Sequence, residues 1–206
     1  MRFFFGLLMS LLVGLSEPLQ AQTDNAPPVD TSPQSGFAWS EVTLVKGEEV
    51  MKGYFNVGEY GLVQAIHYCT RNPEVRPYRP PIYTLPLSEV KSMVQRGRYY
   101  ETLQAMGEIP QALVPRVVKG PVEVFVFADP QVALVKAKHV LAQWYLRRDG
   151  KLIGVDKKTF SEQVSAYVKE DTALAQKVSQ QQKGYKYADL INIITEYNHY
   201  TQVQTQ

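Results

Sequence analysis

The sequence predicts an α+β domain: an antiparallel β-sheet or partly open barrel over about 37–155, followed by two to three helices over about 159–200. Three observations predict it. Between 37 and 155 the apolar runs are short and bounded by Gly, Pro and Asp. Nine of the 13 prolines lie between Pro73 and Pro130, and none follows. From 156 onward apolar residues recur at helical spacing instead. The bulk numbers agree with one domain plus appendages: 206 residues, 45% hydrophobic and 20% charged. With 22 basic and 20 acidic residues the net charge is +2, which excludes a histone-like or strongly acidic tail protein. One cysteine excludes an intramolecular disulfide and any multi-cysteine zinc or iron–sulfur site.

The chain starts Met1-Arg2, continues with the apolar run Phe3 to Leu15, and reaches Leu19-Gln20-Ala21-Gln22 after a polar break. A basic residue, a short apolar core and a small residue at its end make a secretory signal, with cleavage expected after Ala21. The apolar run is shorter than the roughly 20 residues that span a bilayer, which argues against a retained anchor. No cysteine follows it to carry a lipid, and no later segment approaches transmembrane length. Residues 22–36 are polar with three prolines and read as a disordered leader. The domain is then 37–206, β-rich to 155 and helical from 156.

Ser40–Lys46 and Val50–Val57 read as a hairpin around Gly47-Glu48-Glu49, with Met51, Phe55 and Val57 toward one face. Gly58-Glu59-Tyr60-Gly61 turns the chain into a strand at Leu62–Cys69. Residues 71–86 hold five prolines and cannot be a central strand, because proline lacks the ladder N–H. Strands follow at Leu87–Val94, Arg98–Ala105 and Ala112–Val118. Val122–Ala128 is apolar on both faces except Glu123, which marks a central strand. Residues 130–138 fit a helix or a strand. Val140–Arg148 and Lys151–Val155 form a hairpin around Asp149-Gly150, two residues that tolerate positive φ.

Thr159-Phe-Ser-Glu162 has the pattern of a capping box and starts a helix striped by Phe160, Val164, Tyr167 and Val168. A second helix begins near Asp171, carries Leu174 and Val178, and is expected to end on Gly184 as a left-handed cap. A third runs from about Tyr187 with Leu190, Ile191, Ile194 and Tyr197 on one face. Tyr185, Tyr187, Tyr197 and Tyr200 read as a packed helix end.

Several stretches together resemble a family of uncharacterised secreted proteins from Bacteroidota. They are the hairpin VKGEEVMKGYF at 45–55, the strand VEVFVFA, the run AQWYLRRDGKLIGVDKKTFSEQVSAYVKED at 142–171 and the ending YKYADLINIITEYN. The proline-rich insertion at 73–86 departs from the family's pattern. The resemblance implies the exported address and the architecture; it implies no activity, cofactor or catalytic residue.

Chemistry-bearing residues are few. His67 and Cys69 lie two apart on one predicted strand face, where an imidazole could lower a thiol's pKa and activate it. Val63 and Ala65 share that face and point instead to a buried, inert cysteine. His67, His139 and His199 lack HExxH or HxH neighbours, so no metal site is predicted, and no cofactor, because GxxxxGK[ST], GxGxxG and GxSxG are absent. Glu123 is the notable carboxylate, since a buried one must be paired or shifted. The best candidate for binding is the basic, aromatic loop with Arg71, Arg76, Tyr78, Arg79 and Tyr83, followed by Arg96, Arg98, Tyr99 and Tyr100. Prolines would hold it stiff, with little entropy to lose on binding.

The sequence therefore predicts an exported, non-catalytic binding or scaffold domain at the cell envelope, whether periplasmic, outer-membrane-associated or secreted. The alternative is a hydrolase of an envelope polymer using carboxylates such as Glu123 or the His67/Cys69 pair. An envelope glycan, an anionic lipid headgroup or a partner protein fits the charge and address better than nucleic acid.

Overall fold

The computed structural model describes residues 36–47, 49–57, 65–75, 80–106, 109–127 and 143–204. Residues 1–35, which hold the expected signal and all but the last residue of the expected leader, the Gly58–Gly61 turn and 130–138 lie outside the described residues. Ten strands are described: β1 Phe37–Leu44, β2 Val50–Asn56, β3 Ile66–Cys69, β4 Tyr83–Leu85, β5 Val90–Gln95, β6 Arg98–Met106, β7 Ile109–Val118, β8 Glu123–Phe127, β9 Gln143–Arg148 and β10 Lys151–Val155. They form one open antiparallel sheet in the order β10-β9-β8-β7-β6-β5-β1-β2-β3-β4. Of the two architectures open to the sequence, the sheet is found and the barrel is not.

Sequence neighbours pair throughout except after β4. There a single 3-10 turn at Leu87–Glu89 brings the chain back to the free side of β1. Leu87 is buried, and Val45 N–H donates to the Glu89 carbonyl at 2.8 Å, which holds the crossing down. That turn occupies the start of the strand expected at Leu87. Two hairpins share one turn chemistry: Arg96 and Gly97 have φ of 50° and 73°, and Asp149 and Gly150 have 50° and 76°. Two consecutive positive φ values match the twist of the flanking strands.

Three helices follow: α1 Phe160–Tyr167, α2 Thr172–Ser179 and α3 Leu190–Gln204. Asp171 caps α2 as expected, its carboxylate accepting from Leu174 N–H at 3.0 Å. Two expected caps are replaced. Thr159 is the N-cap of α1, but its hydroxyl makes no capping bond. Its backbone (φ −102°, ψ 13°) is not the extended one that aims a hydroxyl at the first turn. Instead Gln163 Oε1 accepts from Asp156 N–H at 2.9 Å, bracing the entry. Gly184 does not end α2 either. Gln181 takes the left-handed conformation (φ 49°), and Gln182 N–H donates to the Lys177 carbonyl at 3.1 Å.

The core has three parts. Val42, Phe55, Ile66, Leu85, Met93, Tyr100 and Leu113 pack beneath the β1–β7 part of the sheet. On β8–β10, Val124, Leu146 and Val155 meet Phe160, Val164, Leu174, Val178, Leu190, Ile193 and Ile194 from the helices. Leu103, Ala112, Val114, Phe125, Phe127 and Tyr145 form the third. Each such side chain contributes about 1.5–3 kcal/mol when fully buried. One stripe residue is corrected: Ile193 takes the core position on α3, and Ile191 is exposed.

Polar groups fix α3 on the sheet. The Asn198 amide accepts from Val122 N–H at 2.9 Å and donates to the Val122 carbonyl at 2.7 Å, standing in for a strand neighbour. A Cβ on Gly120 would sit 2.4 Å from Asn198 Nδ2, so glycine is what lets the amide reach. Nearby, the Arg148 guanidinium lies over the rings of Tyr167 and Tyr197 at 4.5 and 5.0 Å. Tyr197 OH donates to Glu170 Oε2 at 2.9 Å, and Arg148 Nη1 lies 3.3 Å from Glu170 Oε1. Burial, then the bond to Glu170, pushes the Tyr197 hydroxyl up to about 12.

Asn198→Ala leaves both Val122 groups unpaired and is expected to cost about 2 kcal/mol in urea unfolding; a loss below about 0.5 kcal/mol would contradict the clasp. Tyr197 must be neutral in the fold, and its folded pKa lies above the unfolded value of 10.0. Its contribution is therefore complete below pH 10 and drains away as pH rises toward 12. Tyr197→Phe should flatten the fall in thermal stability over that window; an unchanged slope would count against it.

Candidate binding cleft

The cleft begins with a proline inside a sheet. β7 pairs with β6 from Met106↔Ile109 to Tyr100↔Pro115. From Arg116 on it pairs with β8, as Arg116↔Phe125 and Val118↔Val124. The register slips between those two pairs, so Val117 is an extra, bulged residue. Proline gives no N–H to a ladder and is tolerated where pairing is interrupted. Past Pro115, β6 and β7 share no further pair, and a cleft of about 640 Å³ opens there.

One wall is the β5–β6 turn, with Gly97, Arg98 and Tyr99. The other is the end of β7 with Pro115, Arg116, Val117 and the following Lys119. Val126, Trp144 and Ile191 complete the lining. The lining carries three cations and no carboxylate.

Arg116 is held in place from below. Its guanidinium lies 4.2 Å over the Tyr99 ring, and Nη1 donates to Glu123 Oε1 at 2.6 Å. Glu123 Oε2 accepts from Arg147 Nε at 2.5 Å, and Arg147 also grips both oxygens of Glu101 at 2.5 and 2.9 Å. The row Arg116–Glu123–Arg147–Glu101 thus crosses four strands with two charges of each sign, each side chain only 16–21% exposed. The bond from Glu101 holds the Arg147 proton more tightly than usual. Burial, then the Glu101 charge, raises the Tyr99 hydroxyl. Because this row is neutral within itself, Lys119 supplies positive charge to the cleft beyond it. Lys119 is exposed and has no ion pair among the described residues.

The residues singled out in the sequence are scattered. Glu123 opens β8, and both of its oxygens are engaged by guanidinium groups. Cys69 is fully buried, and burial pushes its thiol up. His67 is exposed, and its Nδ1 lies 3.3 Å from Thr84 Oγ1. No hydrogen bond joins His67 to Cys69. Arg71 and Tyr83 stand by the β4 edge, five strand spacings from β6 along the sheet. Tyr83 is 45% exposed and lies 5.4 Å from the ring of Tyr68. Arg76, Tyr78 and Arg79 lie outside the described residues, as does His139. His199 is exposed on α3. Among the described residues no group of three or more His, Cys, Asp or Glu is placed to hold a metal ion. No described helix is long and apolar enough to cross a membrane.

Arg98 and Tyr99 were legible as a basic, aromatic pair; Arg116, Lys119, Trp144 and Ile191 were not. The available signal was Pro115-Arg116 within an otherwise apolar strand, a ladder-breaking residue beside a cation. No family model matches the chain, and no curated protein or solved structure matches it either.

Cys69 in the native protein should resist iodoacetamide at pH 7–8 and react only after denaturant is added. Rapid native labelling would restore the His67/Cys69 pair as a nucleophile candidate.

Proposed function

We propose that this chain is an exported, non-catalytic binding domain of the cell envelope, and that the cleft beside Pro115 is where it binds. One observation carries the reading: Arg98, Arg116 and Lys119 converge on a cleft that holds no carboxylate. Such a lining attracts an anion and leaves no acceptor to repel it. The export signal read in residues 1–21 supplies the address. A hydrolase finds less support, because Cys69 is buried away from solvent and Glu123 is bracketed by two arginines.

The test is capture from a native envelope extract on the immobilised protein, compared with the double reversal Arg98→Glu/Lys119→Glu. The native protein should retain an anionic species that the reversed variant loses by tenfold or more. Equal recovery on both would remove the cleft from the account.

A further inference from the structure

We infer that the cleft takes a single-chain anionic amphiphile, its charged head on Lys119 and its apolar body along Trp144 and Val126. This rests on the cleft being the binding site. What decides the ligand class is what the lining lacks. It has no Asn, Gln, Ser, Thr, Asp or Glu side chain. A glycan buries many hydroxyls that must donate as well as accept, and the side chains of the lining offer one oxygen acceptor, the Tyr99 hydroxyl. Cations, aromatic rings and aliphatic groups suit a molecule with one charged end and one greasy end.

The two exposed apolar residues at the site support this. Ile191 is 37% exposed, while its neighbours Leu190, Ile193 and Ile194 are fully buried in the helix–sheet core. Val117, the bulged residue, is 39% exposed. Neither joins a core cluster, and both line the cleft with the half-buried Trp144. The head has donors waiting. Lys119, just past the bulge, is exposed and has no ion pair among the described residues. A volume of about 640 Å³ is that of a small-molecule site.

The chain has two tryptophans, so Trp39→Phe leaves Trp144 as the single reporter. The probes are dodecyl phosphate below its micelle concentration, inorganic phosphate and dodecyl maltoside. Dodecyl phosphate should change Trp144 emission with half-saturation at least tenfold below either of the others. Lys119→Glu and Ile191→Glu should each raise that midpoint tenfold or more with the melting temperature unchanged. Calorimetry on the native chain should give the same ranking without the reporter substitution. If inorganic phosphate binds as well as dodecyl phosphate, the amphiphile falls and the anion-binding reading stands. If dodecyl maltoside binds as well, the anionic head is wrong and both fall. No response to any probe by either method also overturns both.

Discussion

The exchange of partners by β7 at Pro115 is the constraint on which the rest depends. A strand inside a ten-stranded sheet ordinarily pairs on both sides along its length. Here the first part of β7 belongs to β6 and the last part to β8, with a bulge between Arg116 and Val118. The interruption separates the β5–β6 turn from the end of β7. It also turns Arg116 toward Tyr99 and Glu123 while Val118 enters the helix-covered core. A residue that costs the ladder a donor thereby sets both the gap and the direction of its cation.

Two polar systems make that interruption tolerable. On one face, the Arg116–Glu123–Arg147–Glu101 row ties β6 to β9 across the place where backbone pairing is thin. Half-buried ion pairs of this kind add little net stability, since desolvation offsets much of the attraction. On the other face, Asn198 gives Val122 the hydrogen bonds of a strand neighbour and so pins α3 at the start of β8. The helix is held against the end of the sheet where the cleft opens. Its residue Ile191, one step out of phase with the buried stripe, reaches the cleft lining as a result.

Local chemistry was readable where it is self-contained. Asp149-Gly150 makes its turn whatever surrounds it, and Asp171 caps α2 with its own carboxylate. The stripes of α1 and α2 follow from periodicity, which burial enforces. Readings failed where a distant group decides. Thr159 lost its capping role because the Asp156 turn and Gln163 set the chain's entry angle. Gly184 lost its role because Gln181 meets the left-handed requirement three residues earlier. β7 was read as a strand over Ala112–Val118, but its place in the sheet cannot be inferred from spacing. Glu123 was legible as a carboxylate in need of a partner; which arginines supply it depends on sheet order. The cleft was invisible for the same reason, because its walls come from four strands and a helix.

The proposed function reduces to a location: it puts an anion beside Pro115 rather than at the tyrosine-lined edge of β4 that the sequence favoured. Titrating the isotope-labelled protein with dodecyl phosphate and following its amide and indole resonances tests this directly. The account predicts shifts at Gly97–Tyr99, Arg116–Lys119 and the Trp144 indole, with Tyr68 and Tyr83 unmoved. Shifts gathered at Arg71 and Tyr83, with the Pro115 end of β7 silent, would contradict it.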